Sequence, residues 1–336
     1  MYKKELSYYL TRFFTEYLGN EAGLSTNTIK SYRDAFILYF KYLEETGICK
    51  ISKLKMSSMN TDNVVRFLDW LEQSRGSSVS SRNQRLAAIK AFCSYVARKC
   101  PEESDLCQDI LKIRVKKTSQ KPVEYLTVDA VEYLLKMPDS HSLRGIRDLA
   151  VIALMYESGC RVQELIDLRV GNISFRSPAT VTLTGKGNKI RVIPISTNAA
   201  NIIKAYLKST NICNVTHPVF FNIYGKSLSR SGVSYVLEKY ANMARKQKPE
   251  LYLSKLHPHI LRHSKAMHLL ENGVNLIYIR DFLGHSSVTT TEIYARCNPE
   301  LKRKYIEQAG NLITGCVEEY SEREKESLIA WLRKNI

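Results

Sequence analysis

The segment His259-Ile260-Leu261-Arg262-His263 places two imidazoles and a guanidinium at i, i+3 and i+4. In a helix these three share one face, while Ile260, Ser264 and Met267 fall on another. Such a face can hold an anion, hold a metal ion, or stand as solvated charge on a surface. The metal reading fits poorly. A zinc hydrolase helix reads H-E-x-x-H with the glutamate as base, whereas this one reads H-I-L-R-H and sets a permanent cation beside the metal. Four other segments with polar or nucleophilic groups flank it: Gly159-Cys160-Arg161-Val162-Gln163-Glu164-Leu165, the turn Gly185-Lys186-Gly187, Leu283-Gly284-His285-Ser286, and Thr291-Glu292-Ile293-Tyr294.

The elements that must position these groups can be read from periodicity. Proline near the first turn at Pro258 and Asn272-Gly273 at the other end bound one helix, and a second runs from Asn275 to a stop at Gly284. Thr127 caps a helix through Met137, and Leu143 to Glu157 forms a longer one, with Ile146, Leu149, Ala150 and Ala153 on its apolar face, interrupted at Ser158-Gly159. The stretch VTLTGKGNKIRVIPI alternates apolar and polar residues on both sides of Gly185-Lys186-Gly187-Asn188, which predicts a β-hairpin with a glycine-bearing turn. Residues 1–115 read as helices over Tyr2 to Leu18, Thr26 to Glu45, Thr61 to Ser74 and Val79 to Lys99, with N-caps offered by Ser25 to Thr28 and by Ser77 to Ser81. The polar, basic stretch Arg114 to Pro122 reads as a flexible linker. These readings divide the chain into a helical domain (1–115), a linker (116–124), a second domain (125–312) and a tail (313–336).

At 336 residues the chain can bury two cores, and 44% hydrophobic with 25% charged residues argues against wholesale disorder. The formal net charge of +17 calls for a polyanionic partner. By sign, residues 1–120 hold 20 Lys and Arg against 13 Asp and Glu, and residues 121–312 hold 26 against 15, so both domains are basic. No apolar run of about 18 residues or signal-peptide pattern accompanies that charge, so nucleic acid is expected rather than a membrane, and a cytoplasmic location with it. The eight cysteines form no C-x-x-C pair and read as reduced thiols, not a zinc ribbon or disulfide scaffold.

Each short motif alone is weak, but the five in this order strongly resemble the catalytic domain of tyrosine recombinases of the phage-integrase and Xer type. The resemblance covers most of residues 125–310, and the first 115 suit the family's core-binding domain. It implies a mainly α fold with a small β-sheet: a helical N-terminal core-binding domain plus a mixed α+β catalytic domain. It also implies that Arg161 is the first catalytic arginine, Lys186 the hairpin lysine, His259 and Arg262 the H-x-x-R pair, His285 the second histidine and Tyr294 the nucleophile. Departures are slight, chiefly Lys265 and Met267 where Xer-type relatives usually have an aromatic residue and a threonine.

Phosphoryl chemistry makes sense of that residue set. In-line attack on a phosphodiester builds charge on the non-bridging oxygens, and the planar, permanently ionised guanidiniums of Arg161 and Arg262 suit a clamp on them. Lys186 can lose a proton and suits the role of general acid to the departing 5′ oxygen, as the family mechanism implies. A tyrosine hydroxyl with a pKa near 10 needs a base or a cationic site, and His259 is the candidate base for Tyr294. His285 would donate to a transition-state oxygen. A phosphotyrosine ester conserves the energy of the broken bond, so neither a metal nor a nucleotide cofactor is expected. Tyr294 is one of 20 tyrosines and stands out only by its place after Leu283-Gly284-His285. His263 and His268 are expected to orient or pack. Glu164 either holds its helix by local hydrogen bonds or is a surface carboxylate.

In the first domain, Thr28, Lys30, Tyr32 and Arg33 on one helix and Arg82, Arg85 and Lys90 on another are the candidate DNA contacts, against the alternative of a solubilising charged surface. The two basic domains are expected to grip duplex DNA carrying specific recombination sites. Leu328, Ile329, Trp331, Leu332 and Ile336 can form an amphipathic tail helix. It either folds back or, as in relatives, docks on a neighbouring protomer of a DNA-bound tetramer. The rival functions are type IB topoisomerase-like relaxation and a non-catalytic DNA-binding regulator, which would have no need of all six residues. No extra arm-binding domain is visible, which leans toward a simple Xer-like or mobile-element enzyme.

Overall fold

The computed structural model describes residues 5–118, 122–212, 214–252 and 255–297, with isolated positions between 303 and 334. It divides into two units, Met1–Lys121 and Pro122–Ile336. Among the described residues no helix is long and apolar enough to cross a membrane.

The first unit is helical. Helix α1 (Leu6–Arg12) runs into a π-helical segment, Phe13–Glu21, and is followed by α2 (Thr26–Glu45), α3 (Thr61–Gln73), α4 (Val79–Lys99) and α5 (Ser104–Lys112). Local chemistry sets the starts. Ser25 Oγ accepts from the Thr28 N–H at 3.3 Å, Asn60 Oδ1 from Asn63 at 2.8 Å, and Ser78 Oγ from Ser81 at 3.2 Å, each satisfying an N–H that has no partner within its helix. The core is aromatic: Phe13, Phe36 and Phe92 meet edge to face, with Phe13 and Phe36 each 5.3 Å from Phe92. The sequence predicts an uninterrupted helix to Leu18. The structure widens it from Phe13 on, where Phe13 reaches Phe92 while Tyr17 packs on Tyr95.

The stretch predicted as a linker does not begin free. The Asn83 side chain donates to the Lys116 carbonyl at 2.8 Å and accepts from the Lys116 N–H at 3.2 Å, while Lys116 Nζ lies 2.5 Å from Glu72. Residues 119–121, and the tail of 313–336 apart from isolated positions, lie outside the described residues.

In the second unit α6 (Val128–Leu135) and α7 (Leu143–Ser158) lead to the short α8 (Val162–Asp167), then strands β1 (Ile173–Ser174), β2 (Thr180–Thr184) and β3 (Ile190–Pro194). Helices α9 (Thr197–Thr210), α10 (Arg230–Gln247), α11 (Pro258–Glu271), α12 (Leu276–Leu283) and α13 (Glu292–Cys297) follow. The predicted hairpin is β2–β3, antiparallel, with Leu183 opposite Arg191 and Thr184 opposite Ile190, and β1 extends it on the β2 side. Gly187 takes φ +73° in its turn, a conformation that glycine adopts without strain. Helix α7 is buried on nearly all sides from Ala150 to Met155, beyond the one-sided face its periodicity suggested, because α9 and α11 pack around it. Among the described residues this unit has two cores: a large one around α7, and a smaller one of Ala266, Met267, Leu270, Ile279, Leu283 and Tyr294 that joins α11, α12 and α13.

Candidate active site around the end of helix α12

Helix α12 ends at Leu283, capped by Gly284 in the left-handed conformation (φ +65°). The carbonyls of a helix's last turn have no partner within the helix and carry the negative end of its dipole. Here three in succession are taken by three arginines. Phe282 O accepts from Arg191 Nε at 3.1 Å, Leu283 O from Arg262 Nη2 at 2.6 Å, and Gly284 O from Arg161 Nη2 at 3.1 Å.

Each arginine arrives on its own element. Arg161 precedes α8, and its backbone N–H donates to Glu164 Oε2 at 2.7 Å while its Nη1 donates to Glu164 Oε1 at 2.9 Å. Glu164 is 5% exposed, not a surface carboxylate. Burial alone would raise its pKa, but the Arg191 fork, with the Arg161 backbone and side chain, outweighs that and holds it below the ordinary carboxylate range. Arg191 comes from β3 and grips Glu164 at 2.9 and 2.6 Å. Arg262 comes from α11, is 3% exposed, and donates to Gly159 O at 2.6 Å as well as to Leu283 O. The helical wheel suggests an outward positive face for α11. The structure turns Arg262 inward, where two carbonyls replace its water, and burial together with Arg161 lowers its pKa to about 10, which leaves it charged at neutral pH.

The histidines are held neutral. Burial first, then Arg262 and Arg161, push His285 down to about 4. Burial, His259 and Arg262 do the same to His263, also to about 4. Burial and Arg262 lower His259 too, although its residue surface is exposed. His285 Nδ1 pairs with Thr291 Oγ1 at 2.9 Å, and Thr291 O accepts the Tyr294 N–H at 3.1 Å. The fully buried Thr291 therefore links His285 to the short helix bearing Tyr294.

Tyr294 is 1% exposed. Its hydroxyl meets Nδ1 of His263 at 2.9 Å, and the His259 ring stands 6.3 Å beyond that of His263. The structure thus brings Arg161, His259, Arg262, His285 and Tyr294 together. Lys186 opens the turn between β2 and β3, and its side chain lies outside what the structure describes. Nothing in the sequence marks Arg191, and His263 is expected there only to orient or pack. The first is invisible locally because its partners are 27 and 91 residues away, whereas the second lies beside Arg262 on the predicted face. His268, expected to pack, is buried with Nδ1 on the Tyr156 hydroxyl at 2.9 Å.

The candidate DNA contacts of the first unit divide. Lys30 and Arg33 are exposed on α2, Arg33 beside Asp34 at 2.7 Å; Arg85 is half-buried; Thr28 is bonded to the cap Ser25; and Tyr32 packs partly on the core. Ser31 Oγ accepts from Gln84 Nε2 at 3.0 Å, which sets the second turns of α2 and α4 side by side. Arg82 and Lys90 are engaged within the unit itself. Arg82 is 4% exposed, with its Nε 3.8 Å from Glu72, because it belongs to the inward stripe of α4; Lys90 donates to the Leu111 carbonyl at 2.7 Å and so caps α5.

Residues 124–300 match the model of the phage integrase family, and residues 12–99 match that of the phage integrase N-terminal SAM-like domain. A Sinorhizobium fredii protein named as an integrase/recombinase is 34% identical over 293 residues, 87% of this chain and 88% of that one. The tyrosine recombinase XerD of Staphylococcus epidermidis is 31% identical over 299 residues, 88% of this chain and 96% of its own. Among solved structures, the XerH site-specific recombinase bound to palindromic difH substrate aligns with a TM-score of 0.66 at 21% identity, over 84% of this chain and 79% of that one. The Tn1549 transposon integrase in complex with transposon right end DNA aligns with a TM-score of 0.66 at 17% identity, over 90% and 98%. At such identities the two structures establish likeness of fold.

Proposed function

Because the chain belongs to the phage integrase family and is a tyrosine recombinase, an enzyme that cleaves and rejoins DNA at specific sites, we propose that Tyr294 is its nucleophile and that Arg161 and Arg262 hold the scissile phosphate. Neither DNA relaxation alone nor a purely regulatory role accounts for this membership. The observation that carries the residue assignment is the gathering of Arg161 and Arg262 on consecutive carbonyls at the end of α12, one short segment before Tyr294.

The reaction follows from what these groups can do. The Tyr294 oxygen attacks phosphorus, the bond to the 5′ oxygen breaks, and a 3′-phosphotyrosyl ester forms. Arg161, with 32% of its side chain exposed, and Arg262 beside it oppose the charge growing on the non-bridging oxygens. Neutral His285 can donate a hydrogen bond to one of them from Nε2, because its Nδ1 is engaged with Thr291. The phenolic proton passes to a neutral imidazole, His259 or the nearer His263, and Lys186 gives a proton to the departing 5′ oxygen. Reversal with an incoming 5′ hydroxyl reseals the strand. Since Tyr294 lies in the core, α13 must shift to deliver it.

The partner is duplex DNA with recombination sites, on which four copies assemble and exchange their tail segments. Lys30, Arg33 and Arg85 are the contacts retained from the first unit. The work is that of a mobile element or of Xer-like resolution. To test the chemistry, the chain is incubated with a random-sequence pool of nicked suicide duplexes in EDTA. The wild type is expected to give a covalent adduct surviving SDS and Tyr294→Phe none; an equal adduct from Tyr294→Phe overturns the assignment. Sedimentation with a captured duplex is expected to show four protein copies, and single copies throughout would remove the tetramer.

A further inference from the structure

Arg191 has no part in the chemistry above, yet of the three arginines at the end of α12 it makes the most side-chain hydrogen bonds. Its side chain is 12% exposed, it forks onto both oxygens of Glu164 at 2.9 and 2.6 Å, and its Nε holds Phe282 O at 3.1 Å. The space around it is fitted to a guanidinium. A Cβ on Gly284 would lie 3.0 Å from Arg191 Nη1, and one on Gly185 would lie 3.3 Å from the same atom and 3.1 Å from Glu164 Oε1. Two glycines, one at the mouth of the hairpin and one at the cap of α12, thus form the walls of the slot.

Glu164 is shared, because its Oε1 also accepts from Arg161 Nη1 at 2.9 Å. A single buried carboxylate therefore faces two guanidiniums. If Arg191 were absent, the full negative charge of Glu164 would fall on Arg161, and an arriving phosphate would compete with it for that cation in a partly dry site where charge pairs are strong. With Arg191 present, the fork engages the carboxylate in the strongest available geometry, and the pair is neutral as a unit.

We propose that Arg191 is a positioning residue for strand cleavage: it neutralises Glu164 so that the positive charge of Arg161 stays available to the scissile phosphate. The proposal rests on Arg161 being a phosphate ligand. Arg191 itself touches no substrate. It also ties the base of the hairpin, whose turn begins at Lys186, to the same carboxylate, so hairpin and arginine are set by one ion pair.

The test is single-turnover cleavage by the full chain on a captured suicide duplex, with DNA affinity measured alongside. Arg191→Gln is expected to slow adduct formation by about 100-fold while affinity changes by no more than about 3-fold, since the lost interaction matters in the transition state. Glu164→Gln combined with Arg191→Gln is expected to recover to the rate of Glu164→Gln alone, because no competing carboxylate remains. Arg191→Lys, which cannot fork and reach Phe282 O together, is expected to fall between. If Arg191→Gln does not fold, with Glu164 left buried beside one partner, the comparison of the double variant with Glu164→Gln decides. A double variant about tenfold or more below Glu164→Gln, or Arg191→Gln at the wild-type rate, overturns the proposal. Wild-type chain without any adduct would instead remove the recombinase assignment of Tyr294 and Arg161.

Discussion

The hydroxyl of Tyr294 rests on Nδ1 of His263 at 2.9 Å, within an apolar cluster that leaves the tyrosine 1% exposed. A neutral imidazole can accept the phenolic O–H there, and burial together with His259 keeps His263 neutral. The tyrosine proposed as nucleophile is therefore held out of solvent, in contact with the His263 imidazole.

Replacing His263 with phenylalanine keeps the ring and removes the acceptor. The buried phenol then loses a bond whose absence costs about 1–3 kcal/mol. Amide hydrogen exchange over 292–297 is expected to speed up in His263→Phe while α7 stays protected. Unchanged protection of 292–297 would show that the apolar cluster alone holds Tyr294.

Acid should weaken the fold through the same histidines. His263 and His285 titrate near 4 in the folded chain and near 6.5 when unfolded, so between those values the unfolded chain binds more protons. Their contribution is complete above about 6.5 and is lost as the pH falls toward 4. The melting temperature is expected to drop from pH 7 to pH 5 in the wild type and to drop less when both are replaced, His263→Phe with His285→Asn. Parallel melting profiles for the two proteins would assign the acid sensitivity to other groups.

Gly284→Ala combines two penalties. An alanine at φ +65° costs about 1 kcal/mol, and its Cβ would stand 3.0 Å from Arg191. Gly47→Ala supplies the control, with φ +71° and no atom within 4 Å. Both should melt lower than the wild type, but only Gly284→Ala should lose cleavage, by about tenfold or more. Equal cleavage by the two would mean that the slot around Arg191 tolerates the methyl group.

Asn83 pairs with both backbone groups of Lys116. Asn83→Ala is expected to expose residues 113–118 to limited proteolysis, at a stability loss of about 1–2 kcal/mol. Cleavage there at the wild-type rate would leave Glu72 as the sufficient anchor.

Much of this architecture was legible where local chemistry decides. Ser25 and Ser78 announced α2 and α4, Pro258 and Gly284 bounded the helices of the site, and alternation about Gly185-Lys186-Gly187 gave the hairpin. The inward placement of Arg82 has a local signal: it lies four residues before Leu86 and seven before Ile89, on the buried stripe of α4. The ring of Arg161, Glu164, Arg191 and the α12 carbonyls was not legible. It depends on side chains from three elements meeting backbone oxygens, and no local spacing encodes that.

Those oxygens carry a consequence for how the protein can change. Three arginines take their bearings from the main chain of α12, and main-chain atoms are the same whatever residue supplies them. The outward positions Ile277, Tyr278 and Asp281 can therefore drift, or acquire new contacts, without disturbing the reaction centre, whereas a shift of the helix by one residue would unseat all three cations at once.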